Sequence, residues 1–133
     1  ERCDTSCPDC LRAYDNSRKH ALLDWRLALD MLELCTGEEL TISRSLPQTA
    51  MWMETSAQSL MGSAVSCIEG IPAITRNGKC VLLFHPLWRL EPAFFNDAQA
   101  AAFDEAQDAF TALAVEDIRS FRRNPLTIWN HLQ

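Results

Sequence analysis

Apolar residues crowd residues 22–34 more densely than a single helix stripe requires: Leu22, Leu23, Trp25, Leu27, Leu29, Met31, Leu32 and Leu34. The pattern predicts a helix over 17–35, capped by Ser17 and ended by Thr36 and Gly37. Its wide apolar surface predicts a central helix contacted on several sides. After a connection over 38–46, with a short extended piece at 40–42, Pro47 suits the first turn of a second helix. Ala50, Met53, Ala57, Leu60, Met61 and Ala64 continue it at helical spacing, weakened slightly by Gly62. The period then changes. Residues 71–76 and 79–85 flank Asn77-Gly78, the two positive-φ residues of a tight hairpin turn. The second strand, Cys80-Val81-Leu82-Leu83-Phe84, is apolar on both faces and predicts cover on both sides by helices. Pro86 stops it, with Leu87 and Trp88 packing nearby. Asn96 and Gln99 have the spacing of a capping box before a helix whose one face carries Phe103, Ala106, Phe110 and Leu113. From Glu116 a helical tail runs to the break at Asn124-Pro125, and Ile128, Trp129 and Leu132 form a last apolar anchor.

The order is knuckle, helix, helix, hairpin, helix, tail. This predicts an α+β fold with about three main helices and a hairpin in a small sheet, not an alternating doubly wound sheet. The 133 residues fit a single domain, with 1–35 holding a Cys-rich knuckle and the first helix and 36–133 the remainder.

Composition changes the picture little: 47% hydrophobic and 23% charged residues are globular values. No apolar run is long enough for a membrane span. The opening residues lack the apolar core of a signal peptide, so a cytoplasmic protein is expected. The chain does not begin with Met and reads as a fragment or a processed product. The formal charge of -6 argues against a domain that grips nucleic acid chiefly by neutralising phosphates, although 12 Lys and Arg can form a local patch.

The cysteines matter more. Six occur, at 3, 7, 10, 35, 67 and 80, and three of them lie within eight residues. Thiolates favour zinc in a tetrahedral cage, and Cys7-x-x-Cys10 places two sulfurs on one ion. Cys3 can fold back to give a third, with Asp4, Thr5, Ser6, Pro8 and Asp9 supplying the turns between them. A closed structural site needs a fourth ligand: His20, Cys35, Cys67, Cys80 or a residue upstream. Cys-Pro-Asp-Cys also resembles a redox dithiol, but the third Cys and the lack of a preceding strand favour zinc.

Elsewhere the chemistry is sparse. Arg119, Arg122 and Arg123 form the one compact basic cluster, near Trp129. It reads as a solvated helix end, or as a contact for phosphate or a partner. Trp25, Trp52, Trp88 and Trp129 read as core rather than base-stacking platforms. Asp24 and Arg26 are expected on different sides of the first helix. Arg26 and Asp30 suit an i,i+4 pair whose hydrogen bonds orient it. His85 reads as a satisfied core histidine. Glu54, Glu69 and Lys79 invite a metal-dependent nuclease, but the strand Cys-Val-Leu-Leu-Phe lacks the second acid. No His-x-Lys and no Walker loop occurs, so ATP hydrolysis would lie outside this sequence.

The run Cys3-x-x-x-Cys7-x-x-Cys10-Leu11-x-x-Tyr14-x-Asn16, followed by His20-x-Leu22-Leu23-Asp24-Trp25-Arg26-Leu27-Ala28-Leu29, resembles a known pattern. It is similar to the Cys-rich C-terminal domain of DEAD/DEAH-box superfamily-two DNA helicases. The mitomycin-repair-factor type and proteins of bacterial anti-phage defence systems carry this domain. The likeness covers residues 3–35, with a softer one at 79–88, Lys-Cys-Val-Leu-Leu-Phe-His-Pro-Leu-Trp. The resemblance implies a non-catalytic, zinc-binding accessory domain. It also implies a helicase motor in the same polypeptide or a partner chain, with DNA as a further partner. Cys3, Cys7 and Cys10 match three of the family's four ligands. The fourth Cys would fall at Glu1, a departure that leaves the completing ligand open.

Overall fold

The computed structural model describes residues 6–40, 42, 44, 46–59 and 62–133. Contacts divide the chain into two compact units, Glu1–Thr41 and Ile42–Gln133.

In the first unit, a turn at Cys7 leads to a 3-10 helix, Ser17–Leu22, and then to helix α1, Trp25–Cys35. The single helix expected over 17–35 is thus broken. Leu23 and Asp24 are extended, and the Asp24 carboxylate accepts the Arg26 amide at 3.0 Å as a new N-cap. A short acid that can satisfy an orphan helix amide makes restarting the helix favourable here. Asp24 and Arg26, expected on different sides, meet through this cap, with Arg26 Nη1 3.7 Å from Asp24 Oδ1. The end of α1 follows the sequence. Gly37 has φ 85, its amide bonds the Leu34 carbonyl, and the Glu38 amide bonds the Glu33 carbonyl, closing a Schellman motif.

The burial of α1 inverts the expectation. Arg26 and Asp30 are its buried residues, while Leu29, Met31, Leu32 and Leu34 are exposed at 42%, 53%, 62% and 51%. Contact on several sides is not what these leucines receive.

The second unit contains α2 (Leu46–Ser59), β1 (Ala64–Ile68), β2 (Ile71–Arg76), β3 (Lys79–Phe84) and a 3-10 turn, Pro92–Phe94. It continues with α3 (Asp97–Ala109), β4 (Ala112–Asp117), α4 (Ile118–Arg123) and α5 (Leu126–Leu132). The sheet order is β1-β2-β3-β4. The first three strands form an antiparallel meander, and β4 returns parallel to β3 after the α3 crossover. The fold is α+β, with five α-helices and a four-stranded sheet among the described residues.

Two strands occupy stretches where helix was expected. Ala64 does not continue α2 but opens β1, which turns through Glu69-Gly70, both at positive φ, to pair with β2. Phe110 and Leu113 do not extend the face of α3: Phe110 is its C-cap, and Leu113 lies in β4 opposite Cys80. Pairing with a distant strand overrides local spacing at both places. Thr111 fixes the second by donating its amide and hydroxyl to the Gly78 carbonyl, at 2.8 and 2.9 Å.

The predicted hairpin is present, with φ of 52 at Asn77 and 76 at Gly78. So is the capping box: Asn96 accepts the Gln99 amide at 2.9 Å and Gln99 accepts the Asn96 amide at 3.2 Å. Gln99 is itself buried, and its Nε2 donates to the Arg89 carbonyl at 2.7 Å. The apolar β3 strand is covered on both faces, as its composition predicts. Val81 and Leu83 join Met53, Ile118, Phe121, Ile128 and Leu132 on one side. Cys80, Leu82 and Phe84 join Ala102 and Ala106 of α3 on the other. The last apolar anchor is therefore a sheet-covering helix. Among the described residues, no helix is long and apolar enough to cross a membrane.

Candidate metal centre

The knuckle is organised by one backbone carbonyl. Cys7 O accepts the amides of Cys10, Leu11 and Arg12 at 3.1, 3.2 and 3.0 Å, which curls the chain and brings both side chains to the same side. The two Sγ atoms lie 3.6 Å apart. A disulfide would hold them at about 2.05 Å. Two sulfurs bound tetrahedrally to one zinc at about 2.3 Å would be about 3.8 Å apart. The spacing therefore fits a shared ion. Cys7 N also donates to Cys10 Sγ at 3.0 Å, and Cys10 Sγ lies 3.4 Å from Cys7 O. Cys7 is half-buried and Cys10 exposed, so an ion has access from solvent.

Cys3 and Glu1 lie outside the described residues. Among the described residues, no three His, Cys, Asp or Glu side chains converge as a metal-binding group. His20 is not brought together with Cys7 and Cys10 in such a group. Its Nε2 bonds the Ala13 carbonyl at 3.0 Å and Asn16 Oδ1 at 2.9 Å. Both partners are acceptors, so Nε2 carries the proton. Asn16 in turn accepts the Ala13 amide at 2.9 Å and donates to the Leu11 carbonyl at 2.8 Å. Asn16 and His20 thus staple the loop that follows the knuckle, while Tyr14 of the same motif is 97% exposed. Behind the first Cys, Ser6 is buried and its hydroxyl accepts from Arg12 Nε at 3.0 Å. Sequence reading missed this bond, since a pair six residues apart in a turn follows no period.

The remaining cysteines differ in kind. Cys35 is exposed at the end of α1, and Cys67 is exposed on the edge strand β1. Cys80 is 1% exposed in the sheet, and burial pushes its thiol from 9.0 up to about 11, which opposes the thiolate form. Its surroundings suit a core residue and not a ligand.

The basic cluster falls on α4. Asp117 caps this helix by accepting the Ser120 amide at 2.8 Å and the Ser120 hydroxyl at 2.6 Å. Arg122 and Arg123 occupy the last turn, where positive charge complements the helix dipole. Arg119 and Arg122 are half-buried and Arg123 is exposed. Trp129 lies on the neighbouring helix α5. Its ring lies under the Arg76 guanidinium at 4.6 Å, and Arg76 also donates to the Leu132 carbonyl at 3.2 Å.

The nuclease constellation does not assemble. Glu69 sits in the turn before β2 and Lys79 follows the turn after it, so the six residues of β2, about 20 Å of strand, separate them. Glu54 is exposed on α2. Glu69 instead meets Glu105 of α3, and this hydrogen-bonded carboxyl pair raises the Glu105 pKa. His85 is buried, accepts the Leu87 amide on Nδ1 at 3.1 Å and packs against Trp88. It is the satisfied core histidine its position suggests.

No family model, curated protein or solved structure matches this chain.

Proposed function

We propose that this chain is a zinc-stabilised, non-catalytic accessory domain of a DNA helicase or translocase, acting in the cytoplasm in bacterial DNA repair or anti-phage defence. The observation that carries the metal part is the 3.6 Å separation of Cys7 and Cys10 Sγ, in a turn whose amide donates to one of them. Cys3 is the third ligand. The helicase part rests on the resemblance of the Cys motif and the His20–Leu29 run. When bound, the ion supplies architecture: it crosslinks a polar loop that has little apolar surface to bury. Asn16, His20, Ser6 and Arg12 shape that loop behind the sulfurs.

The motor is expected in the same polypeptide or a partner chain. Arg119, Arg122 and Arg123 are the residues for a DNA or partner contact. A docking module of a defence complex is the second reading. The exposed leucines of α1 favour it, whereas the tail around Trp129 does not, because Ile128 and Leu132 are spent on the core.

The test is metal analysis with thiol titration on the purified chain. One zinc per chain, four protected thiols in the folded chain (Cys3, Cys7 and Cys10 through the ion and Cys80 through burial), and loss of the metal in Cys7→Ser are expected. A metal-free chain with all six thiols reactive after unfolding overturns the reading.

A further inference from the structure

We propose that Cys7 and Cys10 are a reversible redox pair, closing a disulfide with each other under a hydroperoxide and reopening under a dithiol reductant. The disulfide rests on the geometry of the turn. Its consequence for metal occupancy rests on the zinc reading above.

The Cys10 amide bonds the Cys7 carbonyl at 3.1 Å, closing a turn with one Cys at each end. The Cα atoms at the ends of a β-turn lie within about 7 Å, which overlaps the range a disulfide spans. The sulfurs already lie 3.6 Å apart. Bringing them to bonding distance takes a shift of about 1.5 Å, within reach of side-chain rotation over an unchanged backbone.

Access is unequal, since Cys10 is exposed and Cys7 half-buried. Cys10 Sγ therefore meets the peroxide first. It attacks one peroxide oxygen, the O–O bond breaks, and water leaves a sulfenic acid on Cys10. Cys7 Sγ then attacks that sulfur, the S–O bond breaks, and a second water departs. Two electrons pass from the sulfurs to the peroxide, and the protons of both thiols, or of solvent where the thiols are ionised, end in the two waters. A partner sulfur this close intercepts the sulfenic acid before a second peroxide carries it to sulfinic acid. Cys35 and Cys67 are also exposed, but neither has a Cys within ten residues in the chain.

The bonds from Arg12 to Ser6, Asn16 to Leu11 and His20 to Ala13 use no sulfur, so the same loop frames the turn in either state. The metal does not share that indifference. It binds thiolates, and a sulfur spent in a disulfide has none to offer. Oxidation withdraws two of the three sulfur ligands assigned to the ion, so the redox state of one turn sets whether the knuckle holds zinc. In a reducing compartment an exposed disulfide is transient, which suits a signal and not a permanent crosslink.

The test treats the purified, reduced chain with hydrogen peroxide and quenches by alkylation. Disulfides are mapped by peptide mass spectrometry, and zinc release is read with a chromogenic chelator against an unoxidised control. A Cys7–Cys10 disulfide is expected as the first product, before Cys35 or Cys67 is modified, with zinc released in step and both thiols recovered in dithiothreitol. Cys7→Ser should leave Cys10 as a sulfenic acid that dimedone traps. Sulfinic acid on Cys10 of the wild-type chain with Cys7 still free overturns the proposal. So does a first disulfide that joins either residue to Cys3, or a Cys7–Cys10 disulfide in a chain that keeps its zinc. A chain that carries no zinc as purified, yet forms this disulfide, overturns the metal reading and upholds the redox pair.

Discussion

The two units of this chain solve the stability problem in opposite ways. The second surrounds a four-stranded sheet with apolar side chains on both faces, and Phe84, Leu82, Leu83 and Phe121 are fully buried. The first buries Ser6, Arg26 and Asp30 and leaves Leu22, Leu29, Leu32 and Leu34 in solvent. Burying apolar area stabilises by about 25 cal/mol per Å², and the first unit has little of it to draw on. Its order is held by hydrogen bonds to Cys7 O, Asn16 and His20, individually worth about 1 kcal/mol. A sulfur-bound ion would supply what burial does not.

The sharpest way to break this contrast is to withdraw the zinc proposed for the knuckle. A strong chelator, or Cys7→Ser, should unfold the first unit and leave the second intact. Hydrogen exchange would then show protection lost over 6–35 and kept over 71–84. Structural zinc contributes about 10 kcal/mol or more at neutral pH, so the effect should be all or none. Protection unchanged at 6–35 in chelator would remove the distinction between the units. The second largest effect belongs to the sheet. Phe84→Ala removes a ring that makes edge contacts with Trp88 and Phe95, at centroid distances of 6.2 and 5.2 Å. It should cost about 3–5 kcal/mol in denaturant unfolding of the second unit, without changing metal content.

A third experiment uses pH. Cys80 titrates near 11 in the folded chain and near 9.0 when exposed, so the unfolded state loses its proton first as pH rises. Stability of the second unit should therefore fall by on the order of 2 kcal/mol between pH 9 and pH 11, a slope absent in Cys80→Ala. In native alkylation, Cys35 and Cys67 should react and Cys80 should not. The smallest effect is at the Glu69–Glu105 pair. The folded pKa of Glu105 is raised, so the native state holds more protons than the unfolded one and loses stability as pH climbs through that value. Glu105→Gln should raise the melting temperature slightly at pH 7, a gain that shrinks as pH falls and Glu105 takes up its proton.

The same contrast explains what the residues revealed beforehand. Signals confined to a few neighbours were readable: Asn77-Gly78 made its turn, Asn96 and Gln99 their capping box, and Gly37 its helix end. The double-sided cover of β3 was readable because no other environment suits five consecutive apolar residues in a strand. What local pattern could not carry was partnership at a distance. Ala64 and Leu113 sit at helical spacing from their predecessors, yet strand pairing with β2 and β3 claims them. The width of the α1 apolar pattern suggested a buried helix, whereas the Asp24 cap and the buried Arg26 and Asp30 turn its polar edge inward. At the cysteine knuckle the closeness of Cys7 and Cys10 was evident from spacing. The carbonyl that gathers them and the Ser6–Arg12 bond behind them were not.

The parallel pairing of β3 with β4 has a consequence for biosynthesis. Thr111, which anchors the start of β4, lies 33 residues after Gly78, so the greasiest strand of the molecule leaves the ribosome well before its neighbour exists. Until α3 has crossed over, Val81 to Phe84 present a bare, sticky edge of a kind that recruits other chains. A nascent polypeptide stalled between residues 85 and 110 should therefore be the species most in need of a chaperone, whatever state the cysteine loop is in.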